Sequence, residues 1–283
     1  MGKNVFEFTL RASSSFGWVP EYIGWHDPRD EYCETCCIKD MLECASILID
    51  AGYEQYFGVI DRFGRNQLKE NQIIDTDFVQ QGEGEDTYDT TYRDIAGRVR
   101  GGFSGGSEPN SISIRRFRSL AGCCAATGPE AFYLIWNKII EERSEGIFIN
   151  LAMDRSSSWV DVISHYPDEG RVELLIKNAR DIYFRLPEWA DTRVTVSKND
   201  LLIPLLWHKS CLYFPALQKG DRIVISHNMP HYTKEELVRG MQMTVEWRGN
   251  TVLSLFPEGD PLQLYQRKGK VKKAASSTPA PTR

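Results

Sequence analysis

The sequence predicts an α+β protein with a helical first part, residues 1–146, and an antiparallel β-sandwich, residues 147–266. The apolar residues recur at helical spacing in the first part and fall in short strand-like runs in the second. Hydrophobic residues make up 41% and charged residues 26% of the 283 residues, which is enough apolar material for a sizeable core.

The first predicted helix spans residues 38–56, where apolar side chains recur at helical spacing. Gly52 falls late in this run and is expected to end or bend the helix. A second, shorter helix is expected from Val59 to Leu68, with a break at Gly64.

A third helix is expected near Thr127, which would act as its N-cap, with Glu130 at the third helical position. Its buried stripe would run from Phe132 to Ile140. Between the second and third helices lies a polar segment from Gln80 to Ser113, rich in Gly, Asp, Glu and Ser. A loop of this length usually lines a site or is mobile.

After Gly146 the pattern changes to strand-like runs, separated mostly by Pro, Asp, Gly or Asn at intervals of roughly ten residues. This spacing is typical of an antiparallel sandwich. The runs are 147–153, 159–163, 171–176, 181–186, 193–196, 211–214 and 222–225.

The charge is unevenly spread along the chain. The whole chain carries −5, whereas residues 267–283 hold only basic charges, six of them, which leaves −11 on residues 1–266. We expect the basic tail to be a disordered, solvated extension, although basic tails can also touch nucleic acid or anionic membrane. The acidic body argues against a nucleic-acid partner, and the lack of any run of about 18 uncharged apolar residues argues against a membrane span.

Seven cysteines are an odd number, which does not fit a complete disulfide framework. An intracellular, reduced protein that uses some thiols for metal or chemistry fits better, so we expect a cytoplasmic location. Cys44, inside the first helix, and Cys211, on a strand, are expected to be small buried core residues.

Two thiol clusters precede predicted helices: Tyr32-Cys33-Glu34-Thr35-Cys36-Cys37 and Gly122-Cys123-Cys124. Helix starts stabilise anionic groups, and thiolate is the form that binds metal or attacks carbon. Four of these side chains are candidates for one zinc site, although neither cluster has the CxxC spacing and buried filler is the alternative. Cys33 or Cys37 could replace Cys36, and the later pair could form a vicinal disulfide. The candidate ligands are Glu34, Cys36, Cys123 and Cys124.

At these motifs the chain resembles the β-L-arabinofuranosidases of glycoside hydrolase family 127. The resemblance rests on Asp-Glu-Tyr-Cys-Glu-Thr-Cys at 30–36, the Cys-Cys pair at 123–124, and two sandwich phrases. Those phrases are Tyr-Phe-Arg-Leu-Pro-Glu-Trp-Ala at 183–190 and Lys-Gly-Asp-Arg-Ile at 219–223. The similarity covers about residues 10–235.

The resemblance implies a zinc ion held by these four candidate ligands, with Cys123 as the nucleophile. It implies Glu21 as the general acid/base, although Glu21 follows Val-Pro here rather than the family's His-Gly, and the segment between it and the first cluster looks shorter. Three residues of the same loop, His26, Asp27 and Asp30, either contact sugar hydroxyls or position the loop. Two nearby tryptophans, Trp18 and Trp25, either stack on sugar faces or pack in the core.

The resemblance also implies a fold: the last helices of an (α/α)6 barrel at 1–146, followed by the sandwich. A ring of about twelve helices does not fit in 146 residues, so a second chain is a candidate partner to complete it. The implied function is a retaining glycosidase that releases L-arabinofuranose-like sugars from a carbohydrate substrate. The alternative is a non-catalytic remnant with a structural zinc and a carbohydrate- or protein-binding sandwich.

Overall fold

The structure is a computed structural model that describes residues 2–25, 27–79, 82–89, 92–112, 122–190 and 193–267. It contains both helices and several sheets, so the predicted α+β class is confirmed. The predicted tail lies outside the described residues except for Arg267, and so does His26. Within the described ranges, no helix is long and apolar enough to cross a membrane.

Five α-helices are described, all in the first 139 residues of the chain. In chain order they are α1 (Gly2–Ala12), α2 (Thr35–Asp50), α3 (Phe57–Phe63), α4 (Ile95–Val99) and α5 (Gly122–Ile139). A π-helical turn at Gly64–Leu68 continues α3, and 3-10 turns occur at Pro28–Asp30 and Glu54–Tyr56.

The predicted end of the first helix at Gly52 is confirmed. Helix α2 stops at Asp50, and Gly52 adopts a φ of +95°, which only glycine takes without strain. The predicted break at Gly64 is wrong, because the chain stays helical through the π turn. Gly64 serves packing instead: a Cβ there would lie 2.5 Å from Cδ1 of Ile135 on α5.

The expected helix start at Thr127 is also wrong, because α5 already includes Gly122 and continues past Pro129. The two cysteines of the second cluster therefore lie within the helix, not before it. Gly128 within this helix has a steric role, because a Cβ there would fall 2.3 Å from the Phe103 ring. At the other end, Ile140 does not extend the helical stripe and instead opens a strand that pairs with Ile149.

Sixteen strands are described. They are β1 (Ser107–Glu108), β2 (Ser111–Ile112), β3 (Ile140–Arg143), β4 (Gly146–Ile149), β5 (Arg155–Ser156), β6 (Val160–Ser164), β7 (Arg171–Ile176), β8 (Ile182–Arg185), β9 (Thr195–Lys198), β10 (Leu201–Leu202), β11 (Trp207–His208), β12 (Cys211–Phe214), β13 (Arg222–Ser226), β14 (His231–Val238), β15 (Met241–Arg248) and β16 (Thr251–Phe256). Each of the seven predicted runs overlaps one of them.

The strands between residues 140 and 226 form two sheets. One has the order β10-β9-β13-β7-β6-β5 and the other the order β11-β12-β8-β4-β3. All their pairings are antiparallel except β4 with β8, which is parallel and differs from the expected pattern. The parallel pairing is feasible because the connection from β4 to β8 is long, and the chain places β5, β6 and β7 in the other sheet on the way.

The described chain divides into two compact units. The second is Ile139–Pro230; the first combines the helices, up to Lys138, with His231–Gln266, which contains the sheet β14-β15-β16. Buried Asn66 joins these parts of the first unit, because its amide donates to Asn250 O at 2.8 Å and accepts from Val252 N at 2.9 Å. Packing thus groups residues 231–266 with the helices, whereas the sequence-based limits place them with the sandwich.

Candidate metal centre

The first part of the centre is built at the start of α2. Glu34 is the N-cap residue of α2 with an extended backbone, but its side chain makes no capping hydrogen bond. Instead its Oε2 atom lies 2.9 Å from the Sγ atom of Cys36. A carboxylate placed beside a thiol in this way could share a metal ion with it.

Helix α5 supplies the other two thiols of the centre. The Sγ atoms of Cys123 and Cys124 are 3.9 Å apart. The ligand atoms of Glu34, Cys36, Cys123 and Cys124 all lie within 4.8 Å of one another. Two thiolates on one tetrahedral ion with bonds of about 2.3 Å are separated by about 3.8 Å, so this donor set fits a metal ion after small movements.

Contacts along α2 and α5 show that the two helices run in the same direction. Cys36 and Cys124 meet at one end, Lys39 Nζ lies 3.5 Å from Glu130 Oε1 further along, and Lys138 pairs with Asp50 at the far end. Because the two helices are parallel, the ligands at the start of α2 and at the start of α5 lie beside one another.

Burial is the main cause of the raised pKa values of two thiols in this group. It raises the pKa of Cys36, and the hydrogen bond to Glu34 adds to this effect. Burial also raises the pKa of Cys124, against an opposing hydrogen bond from the backbone of Cys36. A bound cation would reverse this preference, since its charge favours the thiolate form.

Cys33 and Cys37 lie outside this group of four. Cys33 is fully buried and accepts a hydrogen bond from Val19 N at 3.3 Å, so its thiol belongs to the packing beneath the centre. Cys37 is half-buried, and its pKa is raised to about 12, first by burial and then by the nearby Glu34 and Glu21 charges. Of the two core assignments, Cys211 is confirmed as buried, whereas Cys44 is exposed on α2.

Glu21 lies next to the centre, on a loop that a backbone hydrogen bond holds in place. It is half-buried, its N–H donates to Tyr32 O at 2.9 Å, and its charge reaches Cys37. Farther along the loop, Asp27 accepts hydrogen bonds from the backbone and side chain of Arg29, which lower its pKa to about 2. Asp27 therefore caps the 3-10 turn, one of the two roles expected for it.

The two tryptophans near the centre differ in exposure. Trp18 is buried and donates from Nε1 to Ser107 O at 3.0 Å, so it is a core residue. Trp25 is 76% exposed and packs edge-on against Tyr22, with ring centroids 5.5 Å apart. Only Trp25 of the pair presents a ring to solvent.

A buried polar network that the sequence does not predict lies under the centre. Thr35 Oγ1 donates to Ser104 O at 2.7 Å and accepts from Asn71 Nδ2 at 3.2 Å. Cys33 and Ser107 exchange backbone hydrogen bonds of 2.8 and 2.9 Å. The Gly- and Ser-rich run at 101–107, seen only as a long loop, was the available signal: small residues let its backbone pack against α2.

Comparisons with known proteins give structural matches only, since neither a protein-family model nor a curated protein matches the sequence. A GH127 β-L-arabinofuranosidase from Geobacillus stearothermophilus T6 is similar over 85% of this chain and 40% of its own, with a TM-score of 0.56 and 15% identity. A protein described as a glycoside hydrolase gives the same TM-score, identity and coverage of this chain, and 44% of its own. Another GH127 β-arabinofuranosidase gives 0.55 and 14%, over 85% of this chain and 41% of its own.

The chain thus spans about two-fifths of the length of these structures and shares their fold over most of its own length. The resemblance inferred from the cysteine motifs is confirmed at the level of the fold: this chain has the fold of part of a GH127 β-L-arabinofuranosidase.

Proposed function

We propose that the four-donor group binds Zn²⁺. The observation that carries this proposal is the convergence of one carboxylate and three thiols within 4.8 Å. Three sulfur ligands and one oxygen ligand favour a soft or borderline ion in tetrahedral coordination, and zinc is the common choice. When bound, zinc would keep the sulfur atoms deprotonated near neutral pH.

We further propose that the chain is the catalytic part of a retaining glycosidase, with Cys123 as the nucleophile. Cys123 is exposed whereas Cys124 is buried, so a substrate has access to the first thiol of the pair and not to the second. A retaining mechanism needs one group that attacks the anomeric carbon and a second that handles the leaving group's proton. Glu21, on the adjoining loop, is the candidate for the second role.

In the first step, the Cys123 sulfur would donate an electron pair to the anomeric carbon while the bond to the glycosidic oxygen breaks. The leaving oxygen would keep that bond's electrons and take a proton from Glu21. In the second step, the oxygen of a water molecule would attack the same carbon while Glu21 accepts a proton from that water. The carbon–sulfur bond would break as the new carbon–oxygen bond forms, returning the electrons to Cys123 and releasing the sugar with its configuration retained.

The substrate would be a carbohydrate that carries an L-arabinofuranose-like sugar, since the structural neighbours named for their activity are arabinofuranosidases. The helices of the first unit would be part of an (α/α)6 barrel, and the two sheets of residues 140–226 would form a β-sandwich. A cytoplasmic location would keep all seven cysteines as thiols, the state in which the structure has them.

The helical part would need further helices, from a second chain or elsewhere, to complete a ring. Helix α5 has only two charged residues, Glu130 and Lys138, and its exposed positions include Ala126, Tyr133 and Trp136. A helix that is apolar on most of its surface is normally covered by other elements. We therefore place the covering helices on this face of α5.

The decisive experiment is hydrolysis of a p-nitrophenyl β-L-arabinofuranoside by the reduced chain, with and without a chelator. Activity that requires the metal and is lost in Cys123→Ser supports the proposal, and Cys44→Ser, an exposed thiol on α2, is the matched control. Activity retained in Cys123→Ser would show that Cys123 is not the nucleophile. A zinc-loaded chain that never hydrolyses the substrate would instead indicate the non-catalytic alternative with a structural zinc.

A further inference from the structure

The segments that carry Glu21 and Glu34 are joined to each other by hydrogen bonds. Glu21 N donates to Tyr32 O at 2.9 Å, and Tyr22 N donates to Glu31 Oε2 at 3.1 Å. One residue further on, Cys33 exchanges two hydrogen bonds with Ser107 of β1. The position of both proposed site carboxylates therefore depends on how firmly residues 31–33 are held.

Arg239 reaches this joint from a different part of the chain, the turn between β14 and β15. Its Nε atom donates to Glu31 O at 2.6 Å, and its guanidinium lies 4.8 Å from the centre of the Tyr32 ring. Its Nη1 atom also pairs with Glu108 Oε1 at 3.3 Å. The Arg239 side chain is only 10% exposed, so these contacts are largely shielded from solvent.

The backbone conformation of the turn indicates that arginine occupies position 239 because of its side-chain contacts. Arg239 and Gly240 have φ values of +55° and +68°, the conformation of a two-residue hairpin turn that favours Asn, Asp or Gly. An arginine at the first of these positions is disfavoured by its backbone. Gly240 also packs closely against the loop that carries Glu21, since a Cβ at Gly240 would lie 3.1 Å from Cγ of Arg29.

We propose that Arg239 is a positioning residue for the metal and acid/base groups. It links Glu31 and Tyr32 on one side to Glu108 of β1 on the other, and so fixes the segment that orients Glu34 and pairs with Glu21. This inference rests on the proposed function. It adds that the β14–β15 hairpin, more than 200 residues away from the loop in sequence, acts on the centre without contacting the substrate.

The test compares Arg239→Ala and Arg239→Lys with Val245→Ala, which removes buried side-chain volume from the same hairpin at a position paired with Lys234 and Leu255. One measurement is amide hydrogen exchange at Glu21, Tyr22 and Cys33 in the metal-free chain. The other is the affinity for Co²⁺, followed by its thiolate charge-transfer absorbance. Arg239→Lys keeps a cation for Glu108 but loses the planar group over Tyr32, so it serves if the alanine variant fails to fold.

We expect Arg239→Ala to speed exchange at the three amides and to weaken Co²⁺ binding by about tenfold, as for other residues that orient metal ligands. Arg239→Lys should show a smaller change of the same kind, and Val245→Ala should leave Co²⁺ affinity within about twofold of the original chain. Equal effects in Arg239→Ala and Val245→Ala, or faster exchange with unchanged Co²⁺ affinity, would overturn the inference. If the original chain binds no Co²⁺, the metal proposal fails, and the exchange rates alone then decide whether Arg239 holds the loop.

Discussion

The Sγ atoms of Cys123 and Cys124 lie 3.9 Å apart on consecutive residues of α5. A disulfide requires about 2.0 Å, whereas two thiolates on one tetrahedral zinc are separated by about 3.8 Å. The pair is therefore arranged as two separate thiols, which decides against the vicinal disulfide considered from the sequence. With Glu34 just before α2 and Cys36 in its first turn, it gives this chain a set of four donors that a single ion can join.

Removal of the buried ligand should abolish tight metal binding. We expect the reduced chain to bind one equivalent of Zn²⁺ and Cys124→Ser to lose at least about 100-fold in affinity, more than the loss of a residue that only orients a ligand. Competition with a chromophoric chelator measures this. Cys211→Ser removes an equally buried thiol in the second unit and should bind zinc normally. If Cys124→Ser binds as tightly as the original chain, Cys124 is not a ligand.

Helix α5 passes so close to Phe103 that residue 128 has to be glycine. A Cβ at Gly128 would lie 2.3 Å from the Phe103 ring, whereas a Cβ at Gly122 on the same helix meets no atom of the described residues within 4 Å. We expect Gly128→Ala to lower the free energy of unfolding by about 1–3 kcal/mol through overpacking. Gly122→Ala should be neutral or stabilising by up to about 1 kcal/mol. Urea unfolding distinguishes the two, and equal stabilities would show that Phe103 moves aside at no cost.

Asn66 should be essential for holding the β14–β16 sheet on the helices. It is fully buried and satisfies Arg62 O, Asn250 O and Val252 N at once. Asn66→Ala leaves these backbone groups without their partner, and we expect a loss of about 3 kcal/mol in the free energy of unfolding. Gln242→Ala, which removes an exposed hydrogen bond on β15, should change it by less than about 0.5 kcal/mol. A loss of similar size in both variants would mean that Asn66 adds nothing specific.

The sequence predicts those features that depend on local pattern. Alternating or continuous apolar runs of four to seven residues locate seven strands, because the side-chain period of a strand is visible over so short a stretch. The end of α2 at Gly52 is a local matter as well, since it depends on one residue's φ. The cluster motifs of the candidate centre are local in the same sense, although its grouping across two helices drew on the family resemblance.

Features that depend on distant neighbours could not be predicted in this way. Gly64 looks like a helix break, but it accommodates the side chain of Ile135. The close approach of Gly128 to the Phe103 ring likewise has no local signal in the sequence. The sheet β14-β15-β16 joins the helical unit through Asn66, about 185 residues away in sequence. The contact of Arg239 with Glu31 spans 208 residues, and no local pattern marks it.

In the second unit, His227 should make stability depend on pH. Its ring is buried, Nδ1 lies 3.0 Å from Asn228 O, and Nε2 contacts the Tyr166 hydroxyl. Because a carbonyl oxygen can only accept, Nδ1 carries the proton and Nε2 accepts from Tyr166, the titratable group that faces it. The ring is therefore held neutral, and burial lowers its pKa below the usual value. The Trp189 ring packs beside both side chains and adds no charge.

A histidine with a lowered pKa binds its proton more readily in the unfolded chain. Its contribution is present above the unfolded pKa of about 6.5 and is lost as the pH falls through that value toward the folded one. We expect the unfolding temperature to fall by a few degrees between pH 7.5 and pH 5.5, and by less in His227→Gln. Tyr166→Phe should also flatten the dependence, because it removes the hydrogen bond that favours the neutral ring. Thermal unfolding at fixed ionic strength gives the comparison, and parallel curves for all three chains would show that His227 does not titrate in this range.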